Sequence, residues 1–108
     1  MINLNSKDVF ITPKPERLIQ RIIHLATNPV DLVLDSFASS GTTGAVAHKM
    51  GKRWIMTELG DHCHTHIVPR MEKVINGEDP GGVTEDVNWK GGGGFMVNKL
   101  ISHKIKQY

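Results

Sequence analysis

Only one cysteine, Cys63, occurs in the 108 residues, so no disulfide closes within the chain, which fits a reducing compartment. No run of 18 apolar residues is present and no leader-like succession opens the chain. That excludes a membrane-spanning helix of ordinary length, and a soluble, cytoplasmic protein without membrane contacts is expected. Excess charge is equally scarce: 13 Lys and Arg against 11 Asp and Glu leave +2, so charge alone does not argue for a nucleic-acid partner. Internal repeats are missing. No Gly-Lys-Ser/Thr follows a small-residue turn, which excludes a Walker loop, and a Gly-x-Gly-x-x-Gly fingerprint is broken by Ser39. His62, Cys63, His64 and His66 have ligating side chains, and His62 with His66 has the spacing that puts two imidazoles on one helix face. No second Cys/His pair follows at finger spacing, so a solvated polar face is expected and no metal site.

What is present is organised around residues 31–58. An apolar run, Leu32-Val33-Leu34, ends in Asp35, passes through small residues and enters a helix former. It returns as Trp54-Ile55-Met56 and ends near Glu58. The spacing predicts a β-turn-α-β unit, because a parallel pair needs a crossover of about a dozen residues or more. The branched residues Val33 and Leu34 predict a strand buried on both faces. The turn then lies at the carboxyl end of the first strand, where ligands of open α/β sheets sit against a helix N-terminus. Small side chains at Ala38, Ser39, Ser40 and Gly41 let a ligand approach the main chain. Glu58 follows Asp35 by 23 positions, near the roughly 20-residue offset at which a carboxylate meets ribose hydroxyls. A nucleoside-type ligand is expected.

Around this unit, Leu18, Ile19, Ile22, Ile23, Leu25 and Ala26 recur at helical spacing between Pro15 and Thr27, with Gln20, Arg21 and His24 outward. A hydroxyl at Ser40 or Thr42 is expected to cap the next helix, which closes at Gly51 with Lys49, Lys52 and Arg53 near its negative end. A third helical stretch runs to about Asn76, with Ile67, Met71, Val74 and Ile75 inward and Pro69 kinking it or marking its start. From Glu78 to Gly94 glycine dominates, and this reads either as a flexible linker or as a loose hairpin between Val87-Asn88-Trp89 and Phe95-Met96-Val97. The residues divide into 1–78 and a Gly-rich hairpin or tail, 79–108, whose basic end from Lys99 onward reads as a solvated face.

Three motifs carry a resemblance that runs from about Val9 to Leu100. Asp35-Ser36-Phe37-Ala38-Ser39-Ser40-Gly41-Thr42-Thr43 resembles the cofactor loop, Asp-x-Phe-x-Gly-Ser-Gly-Thr-Thr, of amino-methylating DNA methyltransferases. Thr12-Pro13-Lys14-Pro15-Glu16-Arg17-Leu18 resembles their Thr-x-Lys-Pro-x-x-Leu segment, and Trp89 to Phe95 resembles a Trp-x-Gly-Gly-Gly-x-Phe signature of modification subunits of type III restriction systems. The likeness implies an α/β fold, a partial Rossmann-like S-adenosylmethionine-dependent methyltransferase. It further implies S-adenosylmethionine as cofactor, held by Thr12, Lys14, Pro15, Glu16, Asp35, Ser36, Phe37, Ala38, Ser39, Ser40, Gly41, Thr42, Thr43 and Glu58. Where the family usually has Gly, this chain has Ser39, whose side chain hinders cofactor approach if the position needs positive φ.

In such enzymes the methyl group passes to the N6 amine of an adenine flipped out of duplex DNA. The Asp/Asn/Ser-Pro-Pro-aromatic tetrapeptide that receives the base is not present here: no two prolines are adjacent, and the only tyrosine is Tyr108. The resemblance therefore implies the cofactor-binding part of an adenine-N6 methyltransferase, without catalytic residues or target-recognition region. Its implied partners are DNA, through the full-length enzyme, and the missing catalytic half or a restriction subunit. Self-association through an unpaired strand edge is also expected. The alternative is a non-catalytic remnant that binds cofactor weakly or not at all.

Overall fold

The computed structural model describes residues 15–36, 38–59 and 63–98. Helix α1 (Glu16–Ala26) leads into strand β1 (Leu32–Asp35), helix α2 (Thr42–Lys49) and strand β2 (Arg53–Met56); a π-helical turn (Cys63–Ile67) then opens helix α3 (Val68–Ile75). Thr27 closes α1 with its backbone N–H and its hydroxyl both on the Ile23 carbonyl, at 3.0 and 2.7 Å. Pro69 lies in the first turn of α3, directly after the π-helical turn, so the change from π to α winding falls at the proline.

The strands pair in parallel, Leu32 beside Arg53, Val33 beside Trp54, Leu34 beside Ile55 and Asp35 beside Met56, as the length of the crossover predicts. Helix α2 is the crossover and the centre of the packing, with six of its eight residues buried. Toward α1 it contributes Val46 and Ala47 to a cluster with Ile19, Ile23 and Val83. Toward α3 it contributes Ala45 to a second cluster with Ala38, Ile67, Met71 and Val74. Trp54 packs against both clusters. Gly44 allows this closeness, because a Cβ there would stand 2.3 Å from the Met56 methyl.

Several expectations are corrected. Strand β1 is not buried on both faces: Leu32 and Leu34 are exposed, Leu34 at 64%, because the described helices pack on one face of the sheet only. Leu18, Ile22 and Leu25 of α1 are likewise exposed, and Ile19 and Ile23 alone reach the core. No hydroxyl caps α2; its N-cap is Gly41 in the left-handed region, while the Ser40 and Thr42 hydroxyls bond each other at 3.0 Å. Lys49 does not sit in solvent near the helix end but is 4% exposed. Its ammonium contacts Glu16 at 3.1 Å and Asp79 at 2.6 Å.

The Gly-rich segment forms neither a hairpin nor a free linker within its described part. Residues 79–98 contain turns and irregular backbone without a strand. They fold back as a strap: Val83 is fully buried in the first cluster, and Trp89 and Phe95 pack on the second. Among the described residues no helix is long and apolar enough to cross a membrane. The start of the motif likeness near Val9 and the basic end from Lys99 lie outside the described residues.

Candidate functional site

The carboxyl ends of the two strands carry the site. Pairing continues past them, with the Thr57 N–H on the Asp35 carbonyl at 3.0 Å and the Ala38 N–H on the Thr57 carbonyl at 2.9 Å. Thr57 also donates its hydroxyl to the Ser36 carbonyl at 2.8 Å. The chain then turns tightly, closing the Gly41 N–H onto the Ala38 carbonyl at 2.8 Å, and enters α2. The loop is thus stitched to β2 before it becomes a helix, which fixes Asp35, Ser36, Ala38, Ser39, Ser40, Gly41, Thr42 and Thr43 relative to Glu58.

Ser39 is the joint between loop and acid. Its φ is +56°, a left-handed conformation that most side chains disfavour by roughly 1–2 kcal/mol. In that conformation its N–H donates to Glu58 Oε1 at 3.0 Å, while the Leu59 N–H donates to Oε2 at 3.1 Å. Two backbone donors hold the carboxylate in place. The positive φ on which the expectation for Ser39 was conditional is therefore present.

Beside Glu58 opens a cleft of about 440 Å³. Trp54 and Met56 of β2, Ile67 and Met71 from the π-turn and α3, and Phe95 with the residues after it line it. The lining is mostly apolar with a few polar groups, the usual composition of a small-molecule site.

Glu16 lies away from this cleft. Its carboxylate receives Lys49 Nζ at 3.1 Å, Arg70 Nη2 at 2.5 Å and the Val83 N–H at 3.1 Å. Arg70 also donates to the Thr42 hydroxyl at 3.0 Å, so the ion cluster ties the start of α1 and the strap to the first turn of α2. Pro15 is the exposed N-cap of α1. Thr12, Lys14 and Phe37 lie outside the described residues, as does His62. Among the described residues no group of three or more His, Cys, Asp or Glu is arranged to hold a metal.

The sequence reading missed Lys49, Arg70 and Asp79. Lys49 had a signal: it follows Thr42, Ala45 and Val46 by seven, four and three residues, which puts it on their buried face. Asp79 and Arg70 had none, because nothing local marks a charge as the counterpart of a buried lysine.

Comparison with known proteins decides the family. The family model described as DNA methylase matches residues 2–69, more than half of the chain. The chain belongs to the DNA methylase family. Over 102 residues, 91% of this DNA methylase chain, it is 46% identical to the probable type III restriction-modification enzyme HindVI Mod subunit of Haemophilus influenzae, covering 14% of that protein. Over 49 residues, 45% of the chain, it is 60% identical to the type II methyltransferase M1.MboII of Moraxella bovis, covering 19% of it. Over 48 residues, 44% of the chain, it is 54% identical to the DNA adenine methyltransferase YhdJ of Escherichia coli, covering 16% of it. The chain therefore spans less than a fifth of the length of these relatives. No solved structure matches it.

Proposed function

We propose that this chain is the S-adenosylmethionine-binding portion of a site-specific DNA (adenine-N6) methyltransferase of a restriction-modification system, a Rossmann-like half that lacks the catalytic tetrapeptide. The observation that carries the reading is the Ser39–Glu58 contact at the carboxyl ends of two parallel strands. It joins a small-residue loop, a helix start and a fixed carboxylate beside an apolar cleft. These residues fit the cofactor: Glu58 accepts from ribose hydroxyls, the cleft takes an apolar base, and the loop that leads into α2 lets the remainder approach the main chain; the motif likeness adds Thr12, Lys14, Pro15 and Glu16 to the cofactor-binding set. When bound, S-adenosylmethionine supplies an electrophilic methyl group on a sulfonium. Glu16 serves in this reading through its backbone, since its carboxylate receives Lys49, Arg70 and Val83.

The target is an adenine in DNA, reached through the full-length enzyme in the cytoplasm. The partners are the missing catalytic half or a restriction subunit. Among the described residues β1 bonds to β2 along one edge only, and this open edge, with the exposed apolar face that Leu32 and Leu34 present beside it, supports self-association where no such partner is present. Titration calorimetry with S-adenosylmethionine tests the reading. Micromolar binding that Glu58→Ala and Asp35→Ala abolish is expected; a folded chain that binds nothing overturns it in favour of a non-catalytic remnant.

A further inference from the structure

Part of the cleft lining comes from a segment that the loop, the acid and the helix start leave unused. The strap is fixed by hydrogen bonds before and within its glycine run. Upstream, the Trp89 indole N–H donates to the Val74 carbonyl at 2.7 Å. Next, the Gly92 N–H donates to the Ile75 carbonyl at 2.7 Å. His48 then ties the strap to the sheet. The Trp54 indole N–H, which can only donate, bonds His48 Nδ1 at 3.1 Å, so Nε2 carries the imidazole proton and donates it to the Gly92 carbonyl at 2.8 Å. Gly93 lies so close that a Cβ there would stand 2.7 Å from the His48 ring. Two residues later the Phe95 ring, half-buried, lies 6.3 Å from the Trp54 ring at a tilt of 38° and lines the cleft with Glu58.

We propose that Phe95 is a specificity-determining residue of the cofactor site, its ring forming the wall against which the base of the bound nucleoside packs. The inference rests on the cofactor reading above and extends it to the Gly-rich strap. A nucleoside has a flat apolar face joined to a polyhydroxylated sugar. The cleft offers the complement, an aromatic ring in the same mostly apolar lining as a carboxylate already oriented by two backbone N–H groups. The glycines let the strap backbone pass close against His48 and α3, so Phe95 is delivered to the cleft rather than left on a free tail.

The test compares the wild-type chain with Phe95→Leu and Phe95→Tyr, titrating S-adenosylmethionine and adenosine separately. Leucine keeps the apolar volume and removes the aromatic face; tyrosine keeps the face. A base stacked on an aromatic ring is worth about 1–3 kcal/mol, so Phe95→Leu is expected to weaken both ligands by about tenfold or more, while Phe95→Tyr stays near wild type. Transfer NOE measurements on the wild type, which need no variant, are expected to link adenosine H2 or H8 to the Phe95 ring protons. Unchanged affinity in a folded Phe95→Leu chain, or NOEs that bypass Phe95, overturns the assignment and leaves the cofactor reading intact. A folded wild type that binds neither ligand overturns both.

Discussion

The two faces of the β1–β2 sheet are almost equally apolar and are treated differently. On one face Val33, Trp54 and Met56 lie under α2, and the clusters that α1, α3 and the strap complete pack against them. On the other, Leu32, Leu34 and Ile55 are 47, 64 and 48% exposed. Neighbouring strand residues point to opposite faces, so the same two short segments supply a finished core and an open apolar surface. The described residues thus finish one face of the sheet and leave the other open. At roughly 25 cal/mol per Å² of apolar area, the bare face is a source of association free energy that the covered face has already used.

The covered side breaks most readily at its ion cluster. Glu16 and Lys49 are the buried members, with side-chain exposures of 9% and 0%, and Asp79 and Arg70 balance them. Removing one member leaves the Lys49 ammonium short of partners in a site with little water, which typically costs about 3–5 kcal/mol. Glu16→Ala is expected to destabilise the chain by that amount, read as a lower midpoint in urea with an unchanged slope. A loss below about 1 kcal/mol would show that the cluster behaves like an exposed pair and that the covered side is held by apolar packing alone.

A smaller effect is expected at the carboxyl ends of the strands. Ser39→Gly relieves a left-handed strain of roughly 1–2 kcal/mol and gives back about 0.4–1 kcal/mol as added freedom of the unfolded chain. The net gain is about 0.5–1 kcal/mol, a rise of a few degrees in thermal midpoint for a domain of this size. Because the Ser39 N–H positions Glu58, cofactor affinity in calorimetry is expected to rise as well. An unchanged midpoint would mean that the left-handed turn costs Ser39 little.

Much of this was legible in the sequence for definite reasons. The β-turn-α-β unit, the parallel pairing and the acid after the second strand follow from local patterns that act within about 25 residues. Positive φ at Ser39 was left conditional, because the motif around it shows only that glycine is usual there. The bare face was not: an apolar run shows that burial is needed, but Leu34 holds no record of which element provides it. Lys49 looked like a helix-end cation because its partners, Glu16 and Asp79, are 33 and 30 positions away. The strap was hidden for a related reason. Glycine-rich composition signals conformational freedom, whereas Gly93 is used for close approach to His48.

The smallest expected change in stability separates the two faces most sharply. Leu34 is exposed and its backbone already pairs with Ile55, so Leu34→Lys removes little buried area and adds a solvated charge. Its effect on the unfolding midpoint is expected to lie within about 0.5 kcal/mol, in contrast to Glu16→Ala. Association should respond in the opposite order. A second copy stacked on the bare face would have to bury the new ammonium without a partner, which is far more costly than burying leucine. Sedimentation velocity at micromolar concentration is therefore expected to show oligomers for the wild type and monomer for Leu34→Lys at nearly equal stability. Oligomers that persist in the variant would shift the contact from the face to the open edge of β1, where pairing runs through backbone groups that a side-chain substitution leaves in place.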